Sequence, residues 1–233
     1  MARITRKELK ADKFAQDVGL TVTFFEDHQK EIVRYGAIVV AVALLVVGFV
    51  IYQRHERSLR QDALIRAIRV QETPVATVAS NGGPTFPTQQ AKDEAASRAF
   101  KDLEQKYSGT TEGAIAEYYL GAIQADQGNL ADAEKHLYQV AEKGDDRYAS
   151  LAKLSLAQIY FADGRAAQGE KTLRELIAHP TIFVSKGQAT VALARYLVTQ
   201  NPAEARKLLD PIKFEAGAVG DVARSLYTEL PPQ

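Results

Sequence analysis

Nineteen consecutive residues, Tyr35–Gln53, carry no charge and are flanked by Arg34 and Arg54. As a helix this run is about 28 Å long, close to the roughly 30 Å hydrocarbon core of a bilayer. Val and Ile, weak helix formers in water, supply much of it. In lipid the backbone has only itself to bond to, so the helix forms whatever the propensity. Tyr35 and Tyr52 stand near the two ends, where amphipathic rings favour the membrane–water interface. A core helix this apolar on every side is rare in so small a protein. A signal peptide has a shorter leader, a shorter apolar core and a small-x-small cleavage site. The run is therefore read as an uncleaved transmembrane helix over residues 35–53.

Charge leaves the orientation open. The tail 1–34 holds seven Lys/Arg, and residues 54–72 hold five that lie nearer the apolar run. Long domains cross membranes largely regardless of flanking charge, whereas the tail carries 13 charges. The reading is a cytoplasmic tail at 1–34 and a C-terminal domain on the other side. Within the tail, Phe14, Val18, Val22, Phe25 and Ile32 share one helical face. A docking helix and a simple lead-in to the membrane explain that stripe equally well.

Beyond the membrane, residues 54–72 read as an amphipathic stalk helix. Leu59, Ala63, Leu64, Ala67, Ile68 and Val70 are its apolar members, and five Arg turn to lipid head groups or water. Residues 73–90 have no charge, three Pro and the pair Gly82-Gly83. Such composition describes a flexible linker. Residues 91–233 are the expected soluble domain.

Several chemistries are excluded by what the chain lacks. Lys plus Arg and Asp plus Glu are both 29, so the basic excess of a nucleic-acid binder is missing. Cys is absent, which removes disulfides, thiolate metal sites and Cys nucleophiles. His28, His55, His136 and His179 are each at least 27 residues apart. There is no phosphate loop, His-Glu-x-x-His or nucleophile elbow. No catalytic residue, metal site or cofactor is expected. His136 and His179 read as surface or capping residues, and Asp145-Asp146 as a helix start.

Residues 91–233 repeat. Leu120-Gly121 aligns with Leu156-Ala157 and Leu193-Ala194 at spacings of 36 and 37. Gly128, Gly164 and Asn201 follow in register as turn residues that tolerate the left-handed conformation ending a helix. Leu137 and Leu173 are again 36 apart. An apolar helix, a tight turn and a second apolar helix at a period near 35 make a helical-hairpin solenoid, an all-α fold.

The pattern resembles the tetratricopeptide repeat. Leu120, Gly121, Ala133 and Leu137 match its signature in the first copy. Leu156, Ala157, Tyr160 and Leu173 match in the second, with Gly169 in place of the expected Ala. Leu193, Ala194 and Leu197 match in the third, where Ala205 and Leu209 fit after a one-residue deletion near Pro202. Ala96, Phe100 and Leu103 resemble the second helix of a degenerate earlier unit. Val219, Val222, Ala223, Leu226 and Tyr227 resemble a terminal cap.

With its short tail and single membrane helix, the whole plan resembles the ancillary SecYEG translocon subunit family, the YfgM-like proteins of Gram-negative bacteria. That resemblance implies a single-pass protein of the bacterial inner membrane whose periplasmic repeat domain binds proteins. The implied partners are the Sec translocon, periplasmic chaperones or emerging secreted chains, and the implied role is secretion or folding of envelope proteins. A scaffold for cell-envelope assembly or cell division has the same anatomy. The family's groove positions fall on Tyr118, Ala122, Leu154, Gln158, Phe161, Val191 and Arg195. Lys and Asn, which clamp a C-terminal carboxylate in some such grooves, are replaced by Tyr118, Leu154 and Val191.

Overall fold

The computed structural model describes residues 6–76 and 83–231; before Val33, the only side chain described is that of Lys30. Nine α-helices are found among them: α1 Arg6–Glu72, α2 Gln89–Lys106, α3 Thr111–Asp126, α4 Leu130–Lys143, α5 Asp146–Ala162, α6 Ala166–Ala178, α7 Lys186–Gln200, α8 Pro202–Leu209 and α9 Ala218–Glu229. The chain forms two compact units, Met1–Ser58 and Leu59–Gln233.

In the first unit α1 carries the apolar run, and every side chain from Val33 to Tyr52 is exposed. Among the described residues one helix, over Val33–Glu72, is long and apolar enough to cross a membrane. The stripe at Phe14, Val18, Val22, Phe25 and Ile32 lies outside the described side chains.

The second unit is a stack of helical hairpins, α3–α4, α5–α6 and α7–α8, closed by α9. The repeat register holds. Leu137, Leu173 and Leu209 are fully buried, as are Ala133, Ala157, Ala194 and Ala205. Gly121 is buried too, and a Cβ on it would lie 2.7 Å from Leu137 Cγ. The turns at Gly128 (φ 80°) and Gly164 (φ 74°) are left-handed, as expected. At the first, the amide of Asn129 donates to the Gln124 carbonyl at 2.9 Å and that of Gly128 to Ala125 at 3.0 Å. This paired closure satisfies the last carbonyls of α3.

The third turn differs from expectation. Asn201 has φ −148° and is not left-handed. Pro202 follows it, and the residue before a proline is pushed to extended backbone. Asn201 instead caps α8, its side chain accepting from the Glu204 amide at 3.3 Å.

The stalk expected at 54–72 is divided at Leu59. Ala67 is buried in one apolar cluster with Ala96, Phe100, Leu103 and Leu120, and Ala63, Leu64, Ile68 and Val70 pack around it. Arg60, expected to face solvent or lipid, lies 3.4 Å from Glu112 in α3. The end of α1 thus supplies the first helix that the degenerate unit at Ala96, Phe100 and Leu103 lacked. The compact unit accordingly begins at Leu59 and not at residue 91.

The segment read as a linker connects two helices of this one unit. Its two arms pair at Val75 and Phe86. The Ala76 amide donates to the Phe86 carbonyl at 3.0 Å, and the Phe86 amide to Pro74 at 3.0 Å. Thr88 caps α2. Residues 77–82, with Asn81-Gly82, lie outside the described residues.

Candidate protein-binding groove

Local sequence fixes where α5 and α7 begin. Asp145 caps α5, its carboxylate accepting from the amides of Arg147 and Tyr148 at 3.1 Å each. Ser185 and Gln188 form a reciprocal capping box that fixes the start of α7. The connection between α6 and α7 is anchored by Val184, which is fully buried. Thr181 Oγ1 in the same connection lies 2.7 Å from Ser150 Oγ in α5.

Helices α3 and α5 pack along each other, as do α7 and α9, but α5 and α7 make no comparably close approach. Two aromatic rings stand between them. Phe161 stacks on Tyr196 with centroids 4.0 Å apart and planes 7° from parallel. Side chains at a helix contact set the interaxial distance, and a stacked pair holds helices further apart than alanines do.

Gly169 makes room for that pair. A Cβ on Gly169 would sit 2.6 Å from Phe161 Cε1 and 2.8 Å from its Cδ1. The alanine expected in this repeat is therefore missing for a steric reason, namely that Phe161 folds back over α6.

The resulting cavity measures about 580 Å³. Leu154, Gln158, Phe161, Val191 and Arg195, five of the seven expected groove residues, line it. Tyr196 and Leu173 also line it, as do Val219 and Val222 of α9. No acidic residue is among its lining residues.

Tyr118 and Ala122 are elsewhere. Tyr118 belongs to an aromatic row in which its ring lies 5.6 Å from both Tyr119 and Tyr148. Tyr148 reaches Phe183 at 5.4 Å, and Tyr119 stacks on Phe100 at 4.6 Å. Burial pushes the hydroxyls of Tyr118, Tyr119 and Tyr148 above the usual phenol range, so they remain neutral hydrogen-bonding groups. Ala122 is half-buried in α3. The face expected to be one groove is thus divided between the aromatic row around Tyr118 and the cavity that holds the Phe161–Tyr196 stack.

His136 is more than a surface residue. Its Nδ1 lies 2.8 Å from Oε1 of Glu117, a carboxylate otherwise buried between α3 and α4. Nothing in the spacing of 19 residues marks the pair; only the hairpin brings them together. His179 ends α6 and is exposed, as read. Among the described residues, no group of three His, Cys, Asp or Glu is placed to hold a metal.

A family model described as a tetratricopeptide repeat-like domain matches residues 23–212, a stretch that takes in the apolar run together with α2–α8. No curated protein and no solved structure matches the chain.

Proposed function

The chain belongs to the tetratricopeptide repeat-like family, and from that premise we propose that it is a membrane-anchored adaptor that performs no reaction of its own. The cavity between α5 and α7 holds a segment of another protein. The observation that carries this reading is the convergence of Leu154, Gln158, Phe161, Val191 and Arg195 on one apolar, solvent-open cavity. Concave sites with apolar walls and a few polar groups are where proteins take ligands.

The apolar part of α1 spans the bacterial inner membrane once, with the tail cytoplasmic and the hairpins periplasmic. The anchor keeps the cavity near the membrane surface, where chains leaving the Sec translocon and the chaperones that receive them are concentrated. The family match running unbroken through the apolar run and the hairpins supports an anchored layout.

Replacing Phe161 with a photoreactive benzoylphenylalanine tests the reading in native membranes. Tyr138, exposed on α4, is the control position. Crosslinks from position 161 to translocon subunits or to chains in transit are expected. Crosslinks to cell-wall assembly or division proteins would move the function to envelope scaffolding. Labelling at 161 no stronger than at 138 would refute the groove. Because the chain has no Cys, a single Cys at Ile182, which is 89 % exposed, reports topology. An impermeant maleimide added to spheroplasts should label it, and labelling only after lysis would reverse the orientation.

A further inference from the structure

Resting on the groove just described, we propose that its occupant is an internal peptide segment in which bulky apolar side chains sit beside an acidic residue, with Arg195 selecting the acid. Three observations define this chemistry. The first is volume. About 580 Å³ bounded by Leu154, Phe161, Val191 and Val219 accommodates two or three large apolar side chains, and burying each is favourable by its area.

Charge is the second. Arg195 is exposed at the rim and makes no ion pair among the described residues. Its neighbours behave otherwise. Arg165 is held by Glu134 and Asp163, and Arg174 by Glu170 and Glu204. With no acid in the lining, the rim presents a net positive group whose fork is open. A guanidinium so placed favours a carboxylate and disfavours a cation.

The third is the polar complement. Gln158 and Gln188 are the neutral polar residues of the lining. Gln188 Oε1 already accepts the Ser185 amide at 2.7 Å, which leaves its NH₂ as a donor. Neutral amides suit the backbone of a passing segment. A terminal carboxylate needs a cluster of donors, and here the walls are Leu154 and Val191. The acid is therefore assigned to a side chain.

The test uses the full chain in detergent micelles and fluorescence anisotropy of labelled, end-blocked hexapeptides. The probes are Ser-Leu-Phe-Leu-Asp-Ser, the same peptide with Lys for Asp, and a free-acid version of the Lys peptide. The wild-type chain should bind the Asp peptide about five- to tenfold more tightly than the Lys peptide, above what a fully exposed ion pair supplies and below a buried charge-assisted hydrogen bond, as suits an exposed Arg195 beside an apolar wall. Arg195→Glu should reverse the order, while Arg195→Gln should abolish the preference and leave apolar binding in place. Equal affinity for Asp and Lys peptides, or a preference that survives Arg195→Glu, would overturn the proposal. Tighter binding of the free-acid peptide than of the Asp peptide would assign the site to a chain end and also overturn it. If no peptide binds while position 161 still crosslinks partners in membranes, this chemistry fails and the groove stands. If position 161 also gives no crosslink, both fail.

Discussion

Gly169→Ala should test the geometry under the cavity, because two opposing effects meet there. In an open helix position the change stabilises by about 1 kcal/mol, since glycine has more backbone freedom to lose and exposes more backbone. At residue 169 the new methyl would lie 2.6 Å from one ring carbon of Phe161 and 2.8 Å from two more. A ring cannot yield as the tip of a flexible chain does, and this one is stacked at 4.0 Å on Tyr196. Overpacking of this kind costs about 1–3 kcal/mol. The expected net effect is a loss of about 1 kcal/mol, and for a unit of this size a fall in Tm of roughly 2–4 °C. Urea unfolding of a Leu59–Gln233 fragment, followed by circular dichroism, measures it. The control is the same change in a Phe161→Ala background, where the ring is gone and Ala should stabilise by about 1 kcal/mol. The two backgrounds should therefore differ by about 2 kcal/mol. A single Gly169→Ala variant that gains stability would show that Phe161 does not lie over α6, and the account of the cavity would fall with it.

Leu156→Ala should cost on the order of 2–5 kcal/mol, because Leu156 is 3 % exposed in the middle hairpin; a loss below about 0.5 kcal/mol in the same assay would contradict the register. A fragment starting at residue 91 should be less stable than one starting at Leu59 by on the order of 3–6 kcal/mol, since it loses Ala67 and the apolar side chains around it from the cluster with Phe100; equal urea midpoints would show that the end of α1 adds nothing. The hydrogen bonds that Arg165 donates at 2.8 and 2.6 Å hold Glu134 below the ordinary carboxylate value of 4.5. A carboxylate with a depressed folded-state pKa contributes stability that is complete above its unfolded pKa and fades as pH falls through the folded one. Glu134→Gln should thus be destabilised by about 0.5–1 kcal/mol at pH 7, and the gap to the parent should close on acidification below about pH 4. A gap that is constant with pH would remove the ion pair from the account.

Much of this protein can be read along the chain, because the decisive signals there are local. A charge-free run long enough for a bilayer, and apolar residues recurring at 36 and 37, specify helices and say which face each one hides. They are enough for the all-α hairpin stack and for the burial of Leu137, Leu173 and Leu209, whereas the five residues that line one cavity are positions implied by the resemblance to the repeat family. Periodicity records that a face is covered, and does not record by what. The apolar stripe Ala63, Leu64, Ala67 and Ile68 is the same whether it meets lipid head groups or α2, so the start of the compact unit at Leu59 required the fold. Tyr118 and Leu154 occupy equivalent repeat positions, 36 apart, but Tyr118 packs among Tyr119 and Tyr148 while Leu154 lines the cavity. Gly169 reads as a departure from the repeat until the ring that needs its missing Cβ is in place. Glu117 and His136 become a pair only when α3 and α4 fold together. In each case the deciding quantity is a distance between side chains from different helices, set by the volumes of the neighbours and by how the hairpins stack, and the order of residues in one segment does not contain it.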